Sequence, residues 1–375
     1  MAETVPMKAP RYAAPLQDDP ADWLRLIRSR RIGPATFHRL VAEHGSVVQA
    51  LQALPEIARS AGVDQYEPCP MGVVVHEMKA ARAAGAVLVR WGDANYPEYL
   101  KAIADSPPVL WARGNLALLQ RPMVAVVGAR NASSLGLRMA RRLAENLGAT
   151  GLVVVSGLAR GIDAEAHAAA LTTGTVAVQA GGVDHIYPTE NAGLAAEILA
   201  KGCLISEQPM GLEPQTRHFP MRNRIISGIS KAVVVVEAAA KSGSLITAEA
   251  ALEQGRDVFA VPGHPFDARA AGCNRLIRDG ATLVRNVQDI LDQIAVPDLR
   301  RAEPEVVAAP QNRALRDISA LHSQILSRLG PSPLAEDQLI RDMAVPASVL
   351  VPELVTLELD GLILRQSGGL LSRLA

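Results

Sequence analysis

Residues 123–161 read MVAVVGARNASSLGLRMARRLAENLGATGLVVVSGLARG, and this stretch decides the fold. Two short valine-rich runs, VAVVG and LVVVSG, each end at a glycine and flank a longer segment of helical character. Apolar runs of this length, bounded by turns, are typical of strands that are buried on both faces of a sheet. A helix between two such strands makes a right-handed crossover, so the stretch predicts a βαβ unit of a parallel sheet.

The same alternation continues along the chain on both sides of this unit. Further valine-rich runs are TVAVQA, CLISE, AVVVVEA and DVFAVPG, and helical segments lie between most of them. We therefore predict that residues 86–295 form an extended Rossmann-like domain, an α/β fold with a doubly wound, mostly parallel sheet. Ahead of the unit, VLVRWGDANYPEYLKAIADSPPVLWARGN holds two strand-like pieces, which we expect to extend that sheet.

A small helical domain is predicted ahead of the sheet. Residues 1–18 are predicted to be a disordered tail, and residues 19–85 have apolar positions at helical spacing. Within them, Gly33 and Pro34 open a helix that Gly45 closes, a pattern similar to SAM and helix-hairpin-helix modules. A purely structural role or a protein contact is the favoured interpretation, because this short pattern is common.

A second small domain is predicted after the sheet. Residues 296–312 are dense in proline and charge and are predicted to be a linker. Residues 313–375 contain three helical segments and a hairpin signal at Gly368 and Gly369, which predicts a winged-helix-like domain. Its third helix carries acids but no lysine or arginine, and this composition disfavours a DNA-reading role.

Composition narrows the class of protein. The 375 residues are 49% hydrophobic, and 38 Lys plus Arg balance 38 Asp plus Glu, so any nucleic-acid site must be a local concentration of charge. The three cysteines are far apart, which fits neither a disulfide framework nor a zinc site. Residues 1–17 lack a signal-peptide pattern and no apolar run is long enough to cross a bilayer, so we expect a cytoplasmic protein without membrane contact.

Three strand-to-helix turns carry candidate anion-binding groups, and parallel strands bring all three turns to one sheet edge. Free N–H groups and the positive end of a helix attract phosphate at such turns. Three of them suit a repeating phosphate backbone better than one pyrophosphate, although a nucleotide would satisfy two. The candidate residues are Gly128, Arg130 and Ser133 in the first turn, Gly157, Arg160 and Gly161 in the second, and Lys241, Ser242, Gly243 and Ser244 in the third.

The segment RHFPMRNRIISGIS supplies the local positive charge that the overall composition lacks. Four basic residues lie within eight positions: Arg217, His218, Arg222 and Arg224. The nearest acid before them is Glu213, and the segment itself contains none. Phe219 lies among these basic residues and offers a surface on which an unpaired base can stack. The alternative is that Phe219 belongs to the core and the arginines form a solvated face; composition alone leaves the two interpretations even.

Two residues have the spacing of a catalytic or metal-binding pair. Asp163 and His167 are four residues apart on a predicted helix and can share one face. No third ligand has a supporting spacing, so we favour helix capping by Asp163 and a packed, hydrogen-bonded His167. We expect no catalytic residues, no metal and no cofactor.

Ordered sequence blocks identify a family resemblance. The chain resembles the bacterial DNA-processing protein A family, also called DprA or Smf, through YPEYLKAIADSPPVLWARGN, VVGARNASSLG, SGLARGIDAEAH, HIYPTEN, ISEQPMG, HFPMRNRIISGIS, VVVVEAAAKSGSLITAEAALEQGRDVFAVPG and GCNRLIRDGA. One departure from the family lies near Gln179 to Gly181. The resemblance implies a DNA-contacting pocket, for which the carried-over residues are Arg130, Gly157, Arg160, Phe219, Arg222, Asn223, Arg224, Ser242, Gly243 and Ser244.

The resemblance also implies a function. Members of the family bind single-stranded DNA, protect it and load the RecA recombinase onto it during natural transformation, and they self-associate, so we expect a homodimer. One alternative is an enzyme of the lysine-decarboxylase-like phosphoribohydrolase class, which Thr247 and Glu249 faintly echo without that class's paired glycines. A protein-interaction scaffold is a second alternative, but it leaves the arginine-rich segment unexplained.

Overall fold

The structure is a computed structural model of the chain, and it describes residues 10, 12–14, 16–294, 318–366 and 368–374. The linker predicted over residues 296–312 lies outside the described residues, as do positions 1–9, 11 and 15 of the predicted tail. The described residues form an N-terminal helical domain, a large α/β domain and a small C-terminal domain. No helix in these ranges is long and apolar enough to span a lipid bilayer.

The N-terminal domain is built from helices whose ends follow local signals. The helices are α1 (Pro20–Arg28), α2 (Pro34–His44), α3 (Val47–Ser60) and α4 (Met71–Ala83). The Asp19 carboxylate accepts the backbone N–H of Ala21 at 2.8 Å, which satisfies one of the free donors at the start of α1. Helix α2 begins after Gly33 and ends at Gly45, whose φ of 81° suits glycine, as the sequence predicts.

Part of the predicted tail is packed against this domain. The Tyr12 ring stacks on Trp91 with ring centroids 4.9 Å apart, and its hydroxyl lies 2.7 Å from Nδ1 of His38. The Asp18 carboxylate accepts the N–H of Val47 at 2.7 Å, at the start of α3. The prediction of disorder up to residue 18 is therefore wrong for these positions, because an aromatic contact and a helix cap hold them.

The α/β domain contains the strands and helices that the valine-rich runs predict. They are β1 (Val87–Arg90), α5 (Glu98–Lys101), β2 (Val109–Gly114), β3 (Met123–Val127), α6 (Ser134–Ala149), β4 (Val153–Ser156), α7 (Ile162–Ala169), β5 (Thr175–Val178), α8 (Ala192–Lys201), β6 (Cys203–Ser206), α9 (His218–Ile229), β7 (Ala232–Val235), α10 (Gly243–Glu253), β8 (Asp257–Ala260), α11 (Ala271–Arg278), β9 (Thr282–Leu283) and α12 (Val287–Leu291). Within the described residues these strands form one sheet, in the order β1-β2-β6-β5-β4-β3-β7-β8-β9.

The sheet is parallel from β6 to β9, and β1 and β2 extend it as antiparallel strands. Both faces are covered, because successive residues of β3 pack into different cores: Val124 and Val126 into one cluster, Ala125 and Val127 into the other. Two-sided burial is the reason that the strands read as continuous apolar runs instead of alternating ones. The predicted Rossmann-like, mostly parallel sheet is confirmed.

The chain order reverses between β3 and β7. From β3 the chain proceeds through β4 and β5 to β6 on one side, and it then returns to place β7, β8 and β9 on the other side. The loops that follow β3 and β7 therefore diverge at the carboxyl edge of the sheet and leave a crevice between them. Open α/β sheets bind ligands at such a topological switch point.

The C-terminal domain is a winged helix. Its elements in the described chain are α13 (Ile318–Arg328), β10 (Leu334–Ala335), α14 (Glu336–Met343), α15 (Ala347–Leu359), β11 (Ile363–Gln366) and β12 (Leu370–Arg373). It contacts the α/β domain through Arg269, which donates to the carbonyl oxygens of Ser327 at 2.6 Å and Leu329 at 3.1 Å. Helix α15 exposes apolar residues such as Val349 and Leu359.

Candidate nucleic-acid interface

A cavity of about 780 Å³ lies at the switch point, between the loops that follow β3 and β7. We call it the switch-point pocket. Its wall comes mainly from the first turn, the third turn and the start of α9. The second turn, the start of α7 and the loops after β5 and β8 each add one residue. The lining residues are Val127, Gly128, Ala129, Arg130, Asn131, Ala159, Asp163, Tyr187, Thr216, Phe219, Pro220, Arg222, Asn223, Ile226, Ala239, Lys241, Ser242, Gly243, Ser244, Ile246, Thr247 and Arg269.

The first turn is already occupied by a carboxylate of the chain itself. Ser133 caps α6, and its hydroxyl donates to Oε2 of Glu237 at 2.8 Å while its backbone N–H lies 3.2 Å from the same oxygen. Burial raises the pKa of Glu237, whereas the Ser133 hydroxyl and the charge of Arg269 act to lower it. The anion site at the start of α6 is thus filled internally, and Ser133 does not line the switch-point pocket.

The second turn is occupied in the same way. One oxygen of the buried Asp163 accepts the backbone N–H groups of Gly157 at 3.1 Å and Ala159 at 3.4 Å. Burial raises the pKa of Asp163, and the nearby positive charge of Arg222 acts in the opposite direction. Carboxylates of the chain thus use the N–H groups of Ser133, Gly157 and Ala159, so these donors of the two turns are not free for a phosphate.

Only the third turn is open among these three. A side chain placed at Gly243 would meet no atom within 4 Å, and Lys241 is exposed at the pocket wall. The Ser242 hydroxyl accepts the N–H of Ser244 at 3.4 Å and caps α10, an 11-residue helix whose positive end faces the pocket. This turn retains the capacity to bind an anion that the sequence indicates.

Phe219 forms a flat wall of the pocket beside a free cation. Its ring lies 5.4 Å from Cζ of Arg130 and 5.5 Å from the ring centroid of Tyr187, and it is only partly buried. The interpretation of Phe219 as a core residue is wrong, because its surroundings are the pocket and its rim. No ion pair engages the exposed Arg130 in the described part of the chain, so its guanidinium is available to a ligand.

The three arginines of the segment 217–224 have three different environments. Arg222 is buried and donates from Nη1 to the carbonyl oxygens of Gly157 and Val178, both at 2.6 Å. Burial lowers its pKa to about 10. Arg224 lies outside the pocket wall and pairs with Glu207, and Arg217 is exposed outside the wall as well.

The predicted site residues therefore divide into three groups. The switch-point pocket brings together Gly128, Arg130, Phe219, Arg222, Asn223, Lys241, Ser242, Gly243 and Ser244. A small adjoining groove is lined by Gly157 and Arg160 together with Tyr187, and Arg160 forms an exposed ion pair with Glu190 at 3.4 Å. The pocket and groove walls leave out Ser133, Gly161, Arg217 and Arg224.

Two glycines of the second turn serve close packing. A Cβ on Gly161, whose φ is 74°, would lie 2.3 Å from the carbonyl oxygen of Ala129, so the two turns are pressed together. A Cβ on Gly157 would lie 2.1 Å from Nη1 of Arg222. These positions shape the pocket without themselves offering groups to a ligand.

The pair Asp163 and His167 has a structural arrangement. Thr175 donates its hydroxyl to the carbonyl of Val154 at 2.8 Å, so at 2.7 Å it accepts the proton of Nδ1 of His167. Nε2 then accepts the N–H of Leu158 at 3.4 Å, and burial lowers the pKa of His167 to about 3. The favoured interpretation of a packed, hydrogen-bonded histidine is confirmed, and the described residues contain no group of three or more side chains suited to a metal ion.

Sequence reasoning missed several residues of the pocket wall. Tyr187 lies in the segment HIYPTEN, whose sequence spacing gives no sign that its ring approaches Phe219. Arg269 lies in the loop after β8, and its partners Glu237 and Ser327 are distant from it in sequence, so no local pattern indicates its place on the wall. Two residues had suggested the phosphoribohydrolase alternative. Thr247 lines the pocket, whereas Glu249 is exposed and does not line it.

Comparisons with known proteins agree along nearly the whole chain. Residues 17–80 match the DprA-like N-terminal HHH domain, residues 87–295 match DNA recombination-mediator protein A, and residues 309–369 match the DprA winged helix domain. The DNA processing protein DprA of Bacillus subtilis is 44% identical over 230 residues, which are 60% of this chain and 77% of that protein. Protein Smf of Escherichia coli is 40% identical over 279 residues, 73% of this chain and 74% of the relative.

Solved structures give the same result. The X-ray structure of DprA from Streptococcus pneumoniae matches with a TM-score of 0.63 and 37% identity, covering 74% of this chain and 99% of that one. A structure that describes the single-stranded DNA binding mode of DprA from Helicobacter pylori matches with a TM-score of 0.51 and 29% identity, over 56% and 96% of the two chains. The chain belongs to the DNA processing protein A (DprA/Smf) family.

Proposed function

We propose that this protein binds single-stranded DNA in the switch-point pocket. The observation that carries the proposal is the combination of Arg130 and Lys241, which form no ion pair within the described residues, with the open third turn and the partly exposed ring of Phe219 on one pocket wall. Cations and free N–H groups hold a phosphate backbone, and an aromatic face holds an unstacked base of any sequence. The single-stranded DNA binding described for the Helicobacter pylori relative supports this assignment.

Single strands fit this pocket better than a duplex. A base reaches the ring of Phe219 only when it is unpaired and turned out of a helix. The third helix of the winged-helix domain, α15, offers no lysine or arginine for a major groove. The DNA residues of the proposal are accordingly Arg130, Phe219, Asn223, Lys241, Ser242, Gly243 and Ser244, with Gly128 and Arg222 shaping the pocket floor and Arg160 and Gly157 its adjoining groove.

We infer that the protein acts by binding and not by catalysis. The Asp163 carboxylate at the pocket wall already accepts two backbone N–H groups, and Glu249 is exposed and does not line the pocket. The proposed partner is a RecA-type recombinase, which the protein loads onto a strand that it protects in the cytoplasm during DNA uptake, and the proposed assembly is a homodimer. Tethering recombinase beside the strand makes nucleation effectively local.

The binding experiment is fluorescence anisotropy with a labelled thymine oligonucleotide. Arg130→Ala and Phe219→Ala should each weaken binding, by about 5-fold or more for the lost stacking surface. Arg142→Ala is the charge-matched control, since Arg142 is exposed on α6 away from the pocket wall. Wild-type affinity in both pocket variants would contradict the proposed site.

Two further assays test the rest of the proposal. ATP hydrolysis by the recombinase on strands covered by single-strand-binding protein should start with a shorter lag when this protein is present, and Arg130→Ala should restore the lag. An unchanged lag under conditions of confirmed strand binding would contradict loading. Release of ribose phosphate from AMP by the purified protein would instead favour the phosphoribohydrolase alternative.

A further inference from the structure

A largely exposed phenylalanine lies on the loop after β8, the loop that also carries Arg269 of the switch-point pocket. Of the four phenylalanines of the chain, Phe37 and Phe259 are buried in the cores, and Phe219 lies on the pocket wall. Phe266 has 88% of its surface exposed, more than any other large hydrophobic residue in the described part of the chain. Single exposed apolar residues are common, so the surroundings of Phe266 decide whether it has a role.

The loop that carries Phe266 is fixed by hydrogen bonds. The Gly263 N–H donates to Oδ1 of Asn274 at 3.2 Å, and the amide of Asn274 donates back to the Gly263 carbonyl at 3.0 Å. The N–H of Phe266 donates to Nδ1 of His264 at 3.3 Å, and the Asp267 N–H donates to the His264 carbonyl at 2.9 Å. The ring is thus held out by a defined backbone, which lowers the entropy lost on binding.

The same loop reaches the wall of the switch-point pocket through Arg269, whereas its residues Gly263, His264 and Asp267 line a separate cavity against the winged helix. It follows β8, the neighbour of β7 in the sheet, so it lies at the carboxyl edge next to the third turn. Arg269, three residues beyond Phe266, lines the pocket, and the N–H of Gly272 donates to the carbonyl of Ala238 at 2.8 Å. Along the edge, the third turn with Lys241 therefore lies between Phe219 on one side and Phe266 on the other.

We propose that Phe266 is a second stacking site for an unpaired base of the same DNA strand, at the far side of the third turn from Phe219. This inference rests on the proposed function and extends it, because two stacking sites give the strand a path along the sheet edge. The ring of His264, 5.6 Å from that of Phe266 at centroid distance, adds a second flat surface to the site. Bases stack on aromatic faces without regard to sequence, so the site takes any nucleotide.

The first test uses the dependence on strand length. Thymine oligonucleotides of roughly 4 to 16 nucleotides cover the usual size of single-strand sites. Phe266→Ala should lower the affinity for the longest strands by about 5-fold or more and leave the affinity for the shortest strands unchanged. Phe219→Ala should weaken both. Because the Phe266 ring packs in no core, thermal unfolding of the variant should match that of wild type.

The second test reports stacking directly. The native tryptophans Trp23, Trp91 and Trp111 are all buried, so an exposed tryptophan introduced by Phe266→Trp dominates the response to solvent and ligand. Long strands should quench its fluorescence. Leu252→Trp is the matched control, because Leu252 is 59% exposed near the end of α10, at the opposite edge of the sheet.

The outcomes separate this inference from the proposed function. Loss of long-strand affinity in Phe266→Ala together with quenching in Phe266→Trp supports the second stacking site. Unchanged affinity and no quenching at saturating DNA, while Phe219→Ala binds weakly, overturns it and leaves the pocket assignment intact. Quenching by recombinase without DNA would assign the ring to a protein contact and would also overturn it. Full affinity in Phe219→Ala and Arg130→Ala would instead contradict the proposed function itself.

Discussion

Replacing Arg222 with alanine should lower the free energy of unfolding, because its side chain is part of the folded structure beneath the pocket. Its guanidinium is buried beneath the pocket, and Nη1 donates to the carbonyl oxygens of Gly157 and Val178 at 2.6 Å each. Hydrogen bonds from a charged group contribute about 1.5–3 kcal/mol each. The variant also leaves the buried Asp163 without the positive charge that it faces, so we expect a loss of about 3–5 kcal/mol in the free energy of unfolding.

The assay is urea unfolding followed by circular dichroism, with two comparison variants. Arg222→Lys keeps a positive charge near Asp163 but lacks the planar donor group, and it should lose about half as much as the alanine variant. Arg130→Ala removes an exposed guanidinium, and its free energy of unfolding should stay within about 0.5 kcal/mol of wild type. Comparing Arg130→Ala with Arg222→Ala separates folding from binding, because Arg130→Ala should bind DNA weakly while remaining fully folded.

A free energy of unfolding for Arg222→Ala within about 1 kcal/mol of wild type would refute this reasoning. It would mean that the two carbonyl oxygens find water or another donor when the guanidinium is removed. In that case a loss of DNA affinity in the variant would point to a direct contact between Arg222 and the strand.

Three further predictions follow from the same contacts. His167→Gln should be less stable than wild type at pH 7, and this difference in the free energy of unfolding should shrink by about 2 kcal/mol at pH 5. The reason is that burial lowers the pKa of His167 to about 3 in the folded protein, so at pH 5 only the unfolded histidine takes up a proton. A constant difference in urea unfolding at the two pH values would contradict this. Arg269→Ala should increase hydrogen exchange in residues 325–334, because the Arg269 guanidinium donates to two carbonyl oxygens of the winged helix. Arg138→Ala removes only a 4.0 Å ion pair with Asp342 and should increase exchange less. Equal exchange in the two variants would show that Arg269 is not the main contact between the two domains. A chain truncated before Asn312 should bind thymine oligonucleotides nearly as well as the whole chain, because α15 carries no lysine or arginine; a loss beyond tenfold at fixed salt, as measured by anisotropy, would show that the winged helix contacts the strand.

The fold was predictable because its signals are local. Buried parallel strands need apolar residues on both faces, and the turns between strand and helix need glycine, so the runs ending at Gly128 and Gly157 specified strand, turn and helix directly. The positions of the three turns at one edge followed from the parallel order of the strands. The two strands that extend the sheet, β1 and β2, were also predictable from their sequence pattern, although their antiparallel direction was not.

The site was less predictable because its partners are distant in sequence. The carboxylate that fills the first turn, Glu237, is 104 residues from Ser133, and no spacing rule connects the two. Arg224 lies in a segment without nearby acids in sequence, but in space it pairs with Glu207, and its Nε lies 3.3 Å from Asp105. The basic cluster in sequence therefore overstated the charge that a ligand can reach. The exposed cations on the pocket wall are Arg130 and Lys241, whereas Arg222 and Arg269 on the same wall are bonded to groups of the protein.

The salt dependence of strand binding tests the central claim most directly. The affinity of wild type, Arg130→Ala and Lys241→Ala for a thymine oligonucleotide should be measured over a series of salt concentrations. Each phosphate contact that is removed should reduce the slope of log affinity against log salt by about 0.7 for a single strand. We predict that both variants lose about that amount while Arg142→Ala keeps the wild-type slope. Identical slopes in all four proteins, or no strand binding by wild type at low salt, would contradict the claim that the switch-point pocket binds single-stranded DNA.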